Sequence, residues 1–260
     1  MKKLFTAASA AILCFAMLTG CSGTKENTVH SADDLKNKTI GVQLGTTGDT
    51  LANDIEGATV ERYKRGADAI QALKQGKIDA VIIDNEPAKV FIEKNEGLQI
   101  LAEEFAVEEY AIALKKGNTE LTQAINDALA ELKSDGTLAN IEKNWIGEEY
   151  GKYPYTSPEG TEYPNGTLIM ATNAEFPPYE FLDNQAIVGF DVDMMTAVCD
   201  KLGYELEIEN IAFDSIIASV NSGKADVGVA GMSVTEDRLK NVDFTDAYTT
   251  STQVIITRAD

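Results

Sequence analysis

From residue 39 the chain alternates two hydrophobic patterns. The stretches "TIGVQ" (39–43), "ATVERY" (58–63) and "KIDAVIID" (77–84) are short runs rich in β-branched residues, and they predict strands. Between them, "DTLANDI" (49–55) and "GADAIQALKQG" (66–76) space their apolar residues as helices do, the second ending at Gly76. Such alternation predicts an α/β layer around a largely parallel sheet. Past residue 118 the pattern changes. Leu121, Ala124, Ile125, Ala128, Leu129 and Leu132 form one helical stripe, with Asn118 placed to cap its start and Gly136 to end it. Leu138, Ile141 and Trp145 continue as a second short helix. Residues 151–166, "GKYPYTSPEGTEYPNG", hold no period and read as a linker. The α/β alternation resumes at "TLIMAT" (167–172) and runs to "STQVIITR" (251–258).

Two segments repeat one plan. Residues 69–84 and 216–231 align on their Gly-Lys pairs, so that Ile70 matches Ile217, Leu73 matches Val220, Gly76 matches Gly223 and Asp79 matches Asp226. Each reads as a helix, a glycine stop and a buried strand. The repeat predicts two similar α/β lobes, and a cleft between lobes is a natural ligand site.

Charge and cysteine usage then exclude several functions. The formal net charge of −20 argues against nucleic acid, whose phosphates are bound by clustered Lys and Arg, and against anionic lipid surfaces. Lys2 and Lys3 precede an apolar run at 4–18 that is too short to span a bilayer comfortably. It closes on "LTGC" (18–21), which is similar to a bacterial lipobox. That reading makes residues 1–20 a signal peptide, Cys21 the lipidated residue and 21–31 a tether. Cys14 leaves with the signal, so Cys199 alone stays in the fold and no internal disulfide can form. Met195, Val198, Cys199 and Leu202 share one helical face, which makes Cys199 core filler. His30 is the only histidine, and Cys-His catalysis and zinc ligation are not expected. The expected site therefore has no metal, no cofactor and no catalytic residue.

Several residues carry two readings. Arg238 offers a planar fork to a carboxylate, or it pairs at the surface with Glu236 or Asp237. Thr235 can cap the short helix that contains Arg238. Asp84 ends a strand on the side where α/β sheets place ligands, or it caps the helix that follows. The loop "GTTG" (45–48) has backbone N–H groups for an anion but lacks the lysine and spacing of a phosphate loop. Phe176 and Phe213 are core residues or pocket walls.

Four stretches together resemble one family. They are "GFDVDMMTAVCDKL" (189–202), "AGMSVTEDR" (230–238), "DDLKNKTIGVQLGTTG" (33–48) and "ELKSDGTLANIEKNWIG" (131–147). The family is the extracytoplasmic solute-binding proteins of amino-acid ABC transporters, and the resemblance covers nearly the whole chain after the signal. It implies the two-lobed type II periplasmic-binding-protein fold. The order differs from the family's, in which the stretch like 168–258 comes first and the stretch like 33–147 follows. The chain therefore resembles a circular permutant, with 151–166 joining the family's usual termini. The expected lobe 2 is 32–107 with 254–260, and lobe 1 is 113–248 around the linker. The hinge crossings fall near 108–112 and 248–253.

The resemblance also implies roles. Arg238 holds the α-carboxylate of a free amino acid, and Thr46 and Thr47 reach it from the opposite lobe. Asp84, the Gly231 carbonyl and the Ser233 hydroxyl receive the α-ammonium. Phe176 and Phe213 flank the ligand side chain. Asn173, Glu175 and Gln43 read it, and one carboxylate with two amides suits a polar or cationic ligand. The implied protein is a monomeric, extracytoplasmic receptor anchored to the membrane through its lipid, delivering an amino acid to an ABC permease. An enzyme on the same fold, dehydratase-like or lytic-transglycosylase-like, stays open, with Glu175 as its only obvious general acid. A sensor ectodomain stays open as well.

Overall fold

A computed structural model describes residues 26–260. The expected signal segment and Cys21 lie outside the described residues. In chain order the first elements are β1 (Thr39–Gln43), α1 (Thr47–Asn53), β2 (Thr59–Tyr63), α2 (Gly66–Lys74), β3 (Ala80–Asp84), α3 (Asn85–Glu93), β4 (Leu98–Ile100) and β5 (Ala106–Tyr110). Next come β6 (Ala113–Lys115), α4 (Thr119–Ser134), α5 (Thr137–Trp145), β7 (Thr167–Thr172), β8 (Glu175–Phe176), β9 (Glu180–Asp183), β10 (Ala186–Val188) and α6 (Phe190–Leu202). The last are β11 (Glu205–Asn210), α7 (Ile216–Ser222), β12 (Val227–Gly228), α8 (Glu236–Leu239), β13 (Val242–Phe244) and β14 (Thr249–Arg258).

The strands form two main sheets. One has the order β2-β1-β3-β14-β4, with β5 also on β14, and belongs to lobe 2. The other has the order β11-β7-β12-β6-β13 and belongs to lobe 1. Their inner plans coincide. In each, a first strand is flanked by two parallel neighbours (β2 and β3 on β1; β11 and β12 on β7), and an antiparallel strand closes beside the third (β14 on β3; β6 on β12). Each sheet is thus mixed where a largely parallel one was expected. The antiparallel strands are those that have just crossed from the other lobe, and they enter from the opposite direction.

The sequence repeat has a physical counterpart. Asp79 accepts a bond from the Thr39 N–H at 3.0 Å, and Asp226 accepts one from the Ile169 N–H at 2.8 Å. In the same way the Asp79 and Asp226 N–H groups bond back to Thr39 and Ile169. Gly76 and Gly223 both follow their helices with φ near +70° (69° and 74°). Each aspartate pins the start of its strand to the neighbouring strand, so each sheet is registered by the same device.

The lobes are joined where β5 runs antiparallel to β14, from the pair Tyr110 and Thr249 to the pair Ala106 and Gln253. Two other junctions bear on chain order. Residues 151–166 contain no helix or strand, yet they are held: the Tyr155 and Tyr163 hydroxyls both donate to Asp200, and the Asn165 N–H donates to the Gly203 carbonyl. At the opposite end of the described chain, the Asn27 side chain donates to Asp260 at 3.1 Å, and His30 lies 3.6 Å from the same carboxylate. Residues 26–31 were expected to be tether. Instead Val29 is buried with Leu35, Ile40 and Ile255, because an apolar side chain that can pack on a sheet face gains more by covering it than by staying in water. Asn118 precedes α4 but makes no side-chain capping bond.

Candidate functional site

Between the lobes lies a small, tightly closed cavity of about 10 Å³. It is lined by Gln43, Thr46, Thr47 and Asp84 from one lobe, and by Asn173, Phe176, Glu180, Phe213, Ala230 and Gly231 from the other. The carboxyl ends of β1 and β3 carry the lobe 2 residues; in lobe 1 the ends of β7 and β12 carry Asn173, Ala230 and Gly231, while Phe176 lies on β8, Glu180 on β9 and Phe213 just after β11. In open α/β sheets this is where strand ends leave side chains and loop N–H groups free for a ligand.

Eight of the eleven expected residues meet at this cavity. Gly231 adopts φ +50°, and a Cβ there would meet the Phe176 ring at 2.8 Å, so glycine lets the aromatic wall close on the backbone. Its N–H donates to Asp191 at 2.8 Å. The Thr46 hydroxyl donates to the Gln43 carbonyl and accepts from the Asp49 N–H, which makes it the cap of α1 while it faces the cavity. Thr47 and Ser233 share a bond across the cleft at 3.1 Å, and Gln43 donates to Asn173 across it at 2.9 Å. Ser233 lies just outside the cavity lining and also donates to Glu108.

Arg238 is buried and forms no ion pair with Glu236 or Asp237; Asp237 is held by Lys240. The surface-pair reading of Arg238 is thereby set aside. Its guanidinium lies 5.3 Å from the centre of the Phe213 ring, donates to the Ser233 carbonyl at 2.7 Å, and crosses to the Gly45 carbonyl of the other lobe at 3.0 Å. Burial pulls its pKa below the usual arginine value, against the opposing pull of Glu108, Asp84 and Tyr110. Thr235 accepts from the Arg238 N–H and fixes the first turn of α8.

Asp84 stands at the N-cap position of α3, but its side chain makes no capping bond. It accepts instead from the Tyr110 hydroxyl and, at 3.4 Å, from Ser251. Burial first, and then the neighbouring Glu108, push its pKa up to about 7.

Glu175 is placed elsewhere. It forms an ion pair with Arg65 of the opposite lobe at 2.8 Å and does not line the cavity, so the long cation at the start of α2 holds it away from the interior. Beside Asp84, the carboxylate that lines the cavity is Glu180, on β9, which the sequence reading passed over. Glu180 is fully buried, and neither of its oxygens meets a hydrogen-bond donor. Burial and then Asp191 raise its pKa well above the ordinary value, while burial pushes Asp191 to about 6. A sequence signal existed: Glu180 sits between Tyr179 and Phe181, a carboxylate in an aromatic run directly after two prolines. Glu108 and Tyr110 share strand parity on β5 and both point inward, which period-2 reading could also have found. Among the described residues no group of three or more His, Cys, Asp and Glu side chains is arranged to hold a metal ion.

The family model for bacterial extracellular solute-binding proteins, family 3, matches residues 48–148 and 168–260. The chain belongs to that family. The unmatched stretch between the two segments contains the linker. The L-cystine-binding protein TcyJ of Escherichia coli K12 is 39% identical over 129 residues, which is 49% of this chain and 48% of that protein. The arginine-binding extracellular protein ArtP of Bacillus subtilis is 38% identical over 105 residues, 40% of this chain and 41% of that protein. Among solved structures, the arginine-bound form of domain 1 from TmArgBP is 39% identical, with 36% of this chain and 81% of that one covered and a TM-score of 0.32. This solute-binding protein thus spans about half, or less, of the length of the curated relatives it matches.

Proposed function

We propose that the protein is a receptor for a cationic amino acid, which it encloses between its lobes and delivers to an ABC permease. The observation that carries the ligand class is Glu180. A buried carboxylate without a donor partner is costly, and a cation is the ligand group that best relieves the cost. In this reading Asp84 takes the α-ammonium with the Gly231 carbonyl and the Ser233 hydroxyl. Arg238 takes the α-carboxylate in place of the Gly45 carbonyl, with Thr47 beside it. Phe176 and Phe213 flank the aliphatic stem, Asn173 and Gln43 bond its polar end, and Glu180 meets the side-chain charge. The names of the similar proteins, arginine- and cystine-binding, support an amino-acid ligand.

The same reading makes Cys21 a lipid anchor that keeps the receptor at the outer face of the membrane. It also makes the chain a circular permutant of its family, which the contact of Asn27 with Asp260 supports. Calorimetry against the twenty amino acids tests the ligand class. Arginine, lysine or histidine should bind tightest, with leucine and valine far behind; an aliphatic preference would overturn it.

A further inference from the structure

Four carboxyl groups are buried at or behind the cavity: Asp84, Glu108, Glu180 and Asp191. They stand as two pairs. Glu180 has Asp191 as its acidic neighbour, and Asp84 has Glu108, and in each case the second negative charge opposes ionisation of the first. One oxygen of Asp191, one of Glu108 and both of Glu180 meet no donor. Two ionised carboxylates side by side in a buried site repel, and a retained proton relieves that repulsion. The surroundings supply few alternatives. Asp191 receives the Gly231 N–H and the Tyr248 hydroxyl, and Tyr179 packs nearby as a neutral phenol. Asp84 receives Tyr110 and Ser251, and Glu108 receives Ser233 and Gln253. The cation that acts on Asp84 and Glu108 is Arg238.

We propose that the cavity exchanges protons for positive charge: a proton held by the buried Glu180 and Asp191 carboxyls, and one held by Asp84, leave for bulk solvent as the ligand's side-chain cation and α-ammonium arrive. This rests on the ligand reading above and deepens it. The balance is simple. Each site gains one negative charge as its proton leaves, the ligand brings the compensating positive charge, and the buffer accepts the proton. The raised carboxyl pKa values agree, because a group that holds its proton near neutrality can release it there when a cation lowers that pKa. Affinity for a cationic amino acid should therefore rise with pH through the window around 6 to 7.

The test is calorimetry with L-arginine near neutrality, in two buffers of different ionisation enthalpy. The heats should differ by the release of about one to two protons per ligand. Glu180→Gln and Asp84→Asn should each lower that number by about one. Binding of arginine with the same heat in both buffers would overturn the exchange and leave the ligand reading standing. A second measurement needs no ligand. Infrared spectra of the free protein near neutrality should show carboxylic-acid carbonyl bands that weaken in Glu180→Gln and in Asp84→Asn. The absence of those bands would overturn the proposal even if arginine failed to bind, whereas failure of every cationic amino acid to bind would instead overturn the ligand class.

Discussion

Arg65 and Glu175 meet across the cleft and outside the cavity, so ligand does not displace them as it would displace bonds inside. Their pair is a clasp between lobes that should lengthen residence of any ligand. Arg65 is about half exposed, which screens the attraction and limits it to about 1 kcal/mol or less. Arg65→Ala and Glu175→Ala should each speed ligand release about two- to five-fold in stopped-flow experiments, and the double variant should be no worse than either. A loss of about a hundredfold, the size expected for a lost charge-assisted hydrogen bond, would place Glu175 in contact with ligand after all. The buried acids make a second residue-scale prediction. Burial raises the pKa values of Asp84 and Asp191 to about 7 and about 6, from the ordinary aspartate value of 3.8. The native state therefore binds protons that the unfolded chain has already lost. Their contribution to stability is full below the unfolded value and is lost as pH rises through the folded values. The ligand-free protein should melt higher near pH 5 than near pH 8, and Asp84→Asn should flatten that difference.

Among the elements, the junction of β9, β10 and α6 orders the acid pair. Gly189 sits at φ +139°, and a Cβ there would collide with the Tyr179 carbonyl. That carbonyl accepts the Asp191 N–H, and the Pro178 carbonyl accepts the Phe190 N–H. The glycine thus lets the start of α6 lie directly on the strand that carries Glu180. Gly189→Ala should cost about 1–3 kcal/mol from backbone strain alone, read as a drop of the melting temperature, with arginine affinity falling as well because Glu180 shifts. Most elements of this kind were legible beforehand. The strands β1, β2 and β3, the helices α2, α4 and α5, and the duplicated helix–glycine–strand unit follow from apolar period and glycine position. What stayed hidden depended on partners remote in sequence. Nothing near Glu175 announces Arg65, 110 residues away, and nothing near Glu180 announces Asp191 and Asp84. Strand parity shows that a carboxylate points inward; it does not show what meets it there. The mixed character of the sheets was hidden for the same reason, since β6 and β14 owe their direction to the lobe they arrive from.

At the scale of the whole molecule, the order of synthesis and the order in space are separable. The two sheets share one inner plan, and each is completed by a strand that crosses from the other lobe, so the packed contacts depend on which strands are present and not on where the chain starts. Residues 151–166 connect α5 to β7 on the surface of lobe 1. They are held by Tyr155 and Tyr163 on Asp200, with no strand or helix of their own. Asn27 and Asp260, at the other junction, already touch. Closing that gap needs only a short loop, and closure cost grows slowly with loop length, by about 0.6 kcal/mol per doubling. A rearranged chain that begins near residue 164, ends near residue 150 and joins Asp260 to Asn27 through a few glycines should therefore fold. Opening 151–166 releases the tyrosine contacts, so a fall of a few degrees in melting temperature is expected, with the affinity for the ligand changed by less than about tenfold. The decisive comparison is with a chain cut inside β3 and joined in the same way. That cut removes a central strand of the lobe 2 sheet, and the product should not fold. If the first rearrangement were as disordered as the second, the linker would be a structural member of lobe 1 and the permuted reading would fall.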